Sequence, residues 1–281
     1  MSKDYWTTII KPSKGYINVN LYELVKYRDL IYLFIKRDFV TFYKQTILGP
    51  IWYILQPLLN TIVFTIIFGR LAQIPTDNLP PFLFYMAGNI IWGYFAFCIN
   101  STSTTFVKNA DIFGKVYFPR ITVPISNVII GLLQFSLQLI FFLCFYIYFV
   151  INGLSVNINY SLIFLPFILL HTAIIALGFG LLLSSLTSKY RDLTFVLGFG
   201  IQLWMFATPV VYPLSIIPEN YVIFSILNPM TSVVESFKFI FFGESSIKLI
   251  HIFISVSISI SIFFVGLITF YKTEKTFLDT V

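Results

Sequence analysis

The chain has 281 residues, of which 58% are hydrophobic and 11% charged, with a formal net charge of +6 and a mean hydropathy of +0.87. A soluble domain carries about 25% charged residues, so this composition leaves no polar coat for a water-soluble fold. Long unbroken apolar runs, rather than short alternating ones, also exclude a β-barrel in favour of helices, which satisfy their own backbone hydrogen bonds inside a bilayer.

The expected fold class is an all-α polytopic membrane protein with six transmembrane helices. Residues 1–27 are mixed and polar, with Pro12 and Gly15 as breakers. No cleavable signal peptide is expected, because the first fifty residues are charged and interrupted. Arg28 to Ile47 reads as an amphipathic helix: Ile31, Ile35, Phe39 and Phe42 share one face, and Arg37, Thr41 and Lys44 another. Such a helix lies in the membrane interface rather than crossing it. Leu48, Gly49 and Pro50 then break it with a sharp turn.

The first span is predicted over Ile51–Phe68 and the second over Phe82–Phe106. The polar loop Val107–Arg120 follows. The third span covers Ile121–Val150, longer than the ~20 residues a crossing needs, so it tilts or begins with an interfacial turn. The fourth runs from Tyr160 to Leu186 and the fifth from Leu193 to Val211, separated by the loop 187–192. Leu214–Ser246 is too apolar for a free loop, yet Pro218, Glu219, Pro229, Glu235, Lys238 and Glu244 interrupt it too often for a clean span. Two short re-entrant helices fit it; such backbone is tolerated only when buried in protein or lining a cavity. The sixth span is Ile247–Tyr271, and residues 272–281 form a short charged tail. The domain division is therefore a cytoplasmic N-terminal region 1–50, a transmembrane domain 51–271 containing the outer segment 214–246, and the tail.

With six spans, 15 of the 18 Lys and Arg fall on one side, leaving only Arg70, Lys238 and Lys248 on the other. The positive-inside rule puts the rich side, and both termini, in the cytoplasm. The net charge thus reflects topology, and no nucleic-acid partner is expected.

Absent chemistry narrows the function. There is no Asp or Glu between Ile112 and Tyr190, nor between Phe39 and Thr76. Ion-coupled transporters and proton relays carry ionisable groups inside the membrane; only His171 and His251 are available here, and a lone membrane histidine is more often a helix–helix hydrogen-bond partner. Gly88 to Gly93 has the glycine spacing of a phosphate-binding loop, but Tyr94 and Phe95 stand where Lys and Ser/Thr are needed. Cys98 and Cys144 suit core packing, with no metal or disulfide spacing. No catalytic set and no bound cofactor is expected, so the chain is read as a conduit driven by something else.

Three features go beyond a generic bundle. Asp111, Phe113, Lys115, Tyr117 and Arg120 mix charge with aromatics in the 107–120 loop, which is either a docking knob or an ordinary interfacial loop. The spans are rich in polar aromatics: Trp52, Tyr53, Trp92, Tyr94 and Trp204, with Tyr146 and Tyr148. These could stack on sugar rings along a pore, or form the interfacial belt. Finally, segment 214–246 is placed like a gate on the outer face.

The stretch YKQTILGPIWYILQPLLNTIVFTIIFGRLA (43–72), then KVYFPRITVP (115–124), SKYRDL (188–193), TPVVYP (208–213) and LNPM (227–230), in that order on six spans, resembles the permease subunits of bacterial polysaccharide ABC exporters, those for O-antigen, teichoic acid and capsule. The resemblance covers nearly all of Arg28–Tyr271. It implies a cytoplasmic interface helix at 28–47 and a pore-mouth turn at Leu48, Gly49 and Pro50. It implies ATPase coupling through Asp111, Phe113, Lys115, Tyr117 and Arg120, with Arg37 and Lys44 of the interface helix. It implies an outer gate containing Pro209, Tyr212, Asn228, Pro229 and Glu235. It further implies a homodimer in the bacterial inner membrane with two nucleotide-binding ATPase subunits that hold ATP and Mg, and a polyprenyl-diphosphate-linked polysaccharide, such as the O-antigen of lipopolysaccharide, as cargo. The chain itself would be a transport permease and not an enzyme. A drug or small-lipophile exporter of the same architecture is the alternative, and a membrane enzyme acting on polyprenyl carriers the more distant one.

Overall fold

The structure, a computed structural model, describes residues 21–44, 49–154, 160–243 and 247–277. Helices α1 (Leu21–Lys26) and α2 (Arg28–Tyr43) precede α3 (Trp52–Phe64), which widens into a π-helical stretch at Thr65–Leu71. Then come α4 (Pro81–Ser103), the short α5 (Thr105–Lys108) and α6 (Ala110–Phe113), α7 (Thr122–Ile151) and α8 (Leu165–Lys189). The chain closes with α9 (Leu193–Phe206), α10 (Glu219–Leu227), α11 (Pro229–Phe242) and α12 (Leu249–Thr276). No strand occurs among the described residues.

Five helical segments among the described residues are long and apolar enough to cross a membrane: Trp52–Leu71, Pro81–Ser103, Thr122–Ile151, Ser161–Lys189 and Leu249–Thr276. The fifth expected span, Leu193–Val211, is shorter in helix than the apolar run suggested. α9 has 14 residues, about 21 Å at 1.5 Å per residue, against a hydrocarbon core of about 30 Å. It stops because Thr208 caps back on Trp204 O at 2.9 Å and Pro209 and Pro213 cannot continue a helix. Segment 214–246 does hold two short helices, α10 and α11. Pro218 and Pro229 open them, and Gly243, at φ +78°, ends α11 in the left-handed conformation that glycine adopts freely.

α4 is the central helix: 78% of its apolar window is buried, against 6% for Trp52–Leu71. Without a hydrophobic force between helices in lipid, close packing and interhelical hydrogen bonds must hold the bundle. Both are present. Pro57 inside α3 has no N–H to give the carbonyl of Tyr53, four residues earlier; Gln138 of α7 donates to that carbonyl at 3.1 Å instead. Asn89 of α4 donates to Thr61 of α3 at 3.2 Å. His171 of α8 meets Ser259 and Ser255 of α12 at 2.9 and 3.3 Å, a hydrogen-bonded contact between two helices. α8 and α12 cross where Gly178 faces Gly266, backbone against backbone. Cys98 is buried in the core, while Cys144 is exposed.

Candidate functional site

Two polar clusters mark opposite ends of the bundle. The first gathers α2, the 105–121 loop and the C-terminal end of α12 around one aromatic core. Phe34, Phe106, Phe113, Phe118, Phe270 and Phe277 are its buried rings. Phe34 of α2 lies 5.6 Å from Phe118, and Phe106 stacks on Phe270 at 4.8 Å. Phe34 is the buried anchor of α2, with Ile31, Ile35 and Phe39 half-buried; the side chain of Phe42 lies outside the described residues. Arg37 lies over the Phe34 ring at 4.8 Å and pairs with Asp38 at 2.6 Å; Lys44 is exposed.

The expected coupling residues separate into two groups here. Asp111, Lys115 and Tyr117 are exposed, Tyr117 at 80%. Phe113, at 4%, is a core residue. Arg120 is buried as well. Its Nη1 donates to Glu274 O at 2.6 Å, its backbone N–H to Glu274 Oε1 at 3.3 Å, and its guanidinium lies over the Phe113 and Phe277 rings at 5.3 and 5.5 Å. Burial pulls the Arg120 pKa down and the Glu274 charge opposes that; a guanidinium stays protonated regardless. The sequence places Glu274 in a charged tail, and no local pattern marks it as the partner of a residue 154 positions earlier.

Between α2 and this loop opens a cleft of about 580 Å³, lined among others by Arg37, Asp38, Thr41, Tyr53, Lys108 and Asn109. Gly49 stands at the start of α3 with φ +52° and nothing within 4 Å of where a Cβ would lie. Pro50 continues the same turn, and Leu48 lies outside the described residues. Among the described residues nothing crowds that position, so the backbone conformation is what resists substitution there. Gly49→Val should lower thermal stability of the purified chain by about 1–2 kcal/mol, the cost of a left-handed L-residue, while Gly49→Asn, which tolerates that region, should cost much less. Equal melting temperatures for the two variants would show the turn to be incidental.

The second cluster brings together four of the five residues expected at the outer gate, Pro209, Asn228, Pro229 and Glu235. Asn228 caps α11 by accepting from Met230 N–H at 3.2 Å; it also accepts from Trp204 Nε1 at 3.1 Å and donates to Thr208 Oγ1 at 2.9 Å. Pro229 O accepts from Ser255 of α12 at 2.9 Å. Lys238, only 3% exposed, donates to Pro209 O at 2.7 Å, stands over the Phe84 ring at 3.6 Å and lies 3.7 Å from Glu235. Tyr212 packs at the edge of the main core. The preceding loop joins in through Asp77, which accepts from Ser215 at 2.8 Å. Glu235 and Lys238 stand one turn apart on α11, but the shorter contact of Lys238 is the hydrogen bond to Pro209 O.

Of the expected pore aromatics, Trp52 is exposed, whereas Tyr53, Trp92 and Tyr94 are buried within this one chain. Trp204 packs against Phe179, Phe95 and Trp92 at 4.8, 5.1 and 6.3 Å. Gly88 and Gly93 lie inside α4 and not in a loop; Gly88 serves packing, since a Cβ there would come 2.9 Å from Val210 O. No cluster of metal-ligating residues occurs among the described residues.

Comparison with known proteins fits this architecture. A sequence profile described as ABC-2 type transporter matches residues 29–242. Two proteins of Klebsiella pneumoniae, each called O-antigen export system permease protein RfbA, are 28% and 27% identical over 252 residues, spanning 89% of this chain and 94% of theirs. A Myxococcus xanthus protein of the same name is 28% identical over 225 residues, 78% of this chain and 83% of its own.

Proposed function

The chain belongs to the ABC-2 type transporter family, and from that membership we propose that it is the membrane-spanning permease of an ATP-driven exporter whose cargo is a polyprenyl-diphosphate-linked polysaccharide. The observation that carries this reading is the near full-length similarity to permeases named for O-antigen export. In this reading the chain works as a homodimer in the cytoplasmic membrane. Two nucleotide-binding subunits dock on its cytoplasmic face and supply the chemistry of ATP and Mg. Residues 1–50, 51–271 and 272–281 then form the interface region, the transmembrane domain and the tail.

Six crossings with both termini cytoplasmic are supported by the shared aromatic core of α2 and the far end of α12, because a chain whose two ends meet on one side crosses an even number of times. α9 completes the sixth crossing together with the buried turn at Thr208–Val211. α2 is the interface helix, with Tyr32, Leu33 and Val40 exposed toward lipid. α10 and α11 are the re-entrant gate helices. The exposed apolar residues of α9, Phe195, Val196, Phe199 and Leu203, face lipid or the second copy, and Trp52 is the pore aromatic most available to cargo.

The docking surface is Asp111, Lys115 and Tyr117, with Arg37 and Lys44 beside it. Exposed Tyr beside charge is the composition of an interface hot spot. The chain purified in mild detergent should bring down a cytoplasmic ATPase at equal stoichiometry, and Tyr117→Ala should weaken its retention about tenfold or more, as a hot-spot truncation of at least ~1.4 kcal/mol does. A chain that purifies alone would overturn the exporter reading. Retention unchanged in Tyr117→Ala would move the docking surface elsewhere.

A further inference from the structure

α12 is fastened at both of its ends. Near its C-terminus, Arg120 of the 105–121 loop grips Glu274 through a carbonyl and a carboxylate oxygen while lying over two rings, and Phe106 stacks on Phe270. Near its N-terminus, Ser255 Oγ donates to Pro229 O at 2.9 Å, and Ser232 of α11 donates to His251 O at 3.2 Å. The two fastenings, Ser255 and Glu274, stand about 28 Å apart on one unbroken helix at about 1.5 Å rise per residue. Between them α12 packs backbone against backbone on α8 at Gly178 and Gly266, so α8 would move with it. An unbroken helix does not lengthen without losing its hydrogen bonds, so a displacement at one end is delivered at the other.

We infer that α12 is the rod that carries movement of the docking loop to the outer helix α11, and that Arg120 with Glu274 is its joint. This rests on the permease reading above. Arg120 is then a positioning residue acting through α12, not a contact with the ATPase. Arginine suits such a joint because its planar guanidinium donates to the Glu274 carbonyl, keeps Nε within 4.0 Å of the Glu274 carboxylate and lies over two rings at once, which the single ammonium of lysine cannot reproduce.

The test uses the purified permease–ATPase complex with a reporter at the outer end. Asn220→Cys, exposed at the start of α10, is placed in a Cys144→Ser background, and its rate of modification by a membrane-impermeant thiol reagent is compared with and without ATP. In the otherwise native complex, ATP should change that rate. In Arg120→Lys and Glu274→Gln the complex should still assemble and hydrolyse ATP, while the ATP-dependent change shrinks about fivefold or more, the scale of a typical coupling energy. Ser255→Ala, at the far fastening, should do the same. Combined with Glu274→Gln it should add little, because joints in series fail together; such a cycle tests coupling where spatial intermediacy alone does not.

A native ATP response in both joint variants would overturn the inference, as would additive losses in the double variant. Loss of the ATPase from Arg120→Lys would make Arg120 a docking contact and overturn it too. If the native chain binds no ATPase at all, it is the permease reading that fails.

Discussion

Gly266→Ala should sharply destabilise the purified chain, while Gly198→Ala should leave it unchanged or slightly more stable. A Cβ on Gly266 would run into the backbone carbonyl of Gly178, and a Cβ on Gly178 would lie 2.8 Å from the backbone N of Phe263. Backbone on both sides cannot turn aside as a flexible side chain would, so α8 and α12 must separate. That separation also pulls His171 away from Ser255 and Ser259. Overpacking of this kind costs about 1–3 kcal/mol and sometimes more, a large share of a stability of about 5–15 kcal/mol. Gly198 has nothing within 4 Å, so there alanine gains about 0.5–1 kcal/mol of helix propensity without penalty. Thermal unfolding in detergent measures both. Equal melting temperatures for Gly266→Ala and the native chain would mean that the two helices do not touch at these glycines.

Lys238→Met should destabilise the chain by about 3–5 kcal/mol, because removing one member of a buried pair strands the other charge. Two groups lose their partner at once: Glu235, and the carbonyl of Pro209 that holds the link between α9 and α10. The effects should be unequal. Glu235 Oε1 has no hydrogen-bond partner among the described residues, so Glu235→Gln removes a loosely held charge and should cost less than Lys238→Met. The double change Lys238→Met with Glu235→Leu should recover most of the loss, since a buried ion pair replaced by apolar groups of similar volume is often neutral. A Lys238→Met chain as stable as the native one, or a double variant no better than the single, would show that Lys238 does not pin the link between α9 and α10.

The helical pattern was legible in the chain to within a few residues. α7, expected over Ile121–Val150, is Thr122–Ile151, and the awkward segment after Pro213 resolves into two short helices as its prolines and charges suggested. Pro209, Asn228, Pro229 and Glu235, expected in one group, are linked through Lys238 and the Asn228 cap. The 107–120 loop was legible as a loop, but not in its detail. Phe113 and Tyr117 look alike as aromatics beside charge, and Arg120 and Lys115 look alike as cations. One of each pair is buried and one exposed, because α6 turns Phe113 toward α2 and α12 while Lys115–Tyr117 run free of any helix.

Composition and the order of apolar and polar segments thus determined the class of molecule, the bulk of its helix boundaries and its family. The cause is the solvent: a bilayer demands runs of about twenty apolar residues, and that demand is written locally. Only the tertiary structure decided which of those apolar residues face inward. It buried Trp92 and Tyr94 but left Trp52 exposed, joined Arg120 to Glu274, and gave the carbonyl of Pro209 to Lys238. Where nearly every side chain is apolar, hydropathy has no contrast between lipid-facing and core-facing positions. The choice then falls to close backbone contacts and a few hydrogen bonds between residues far apart in the chain.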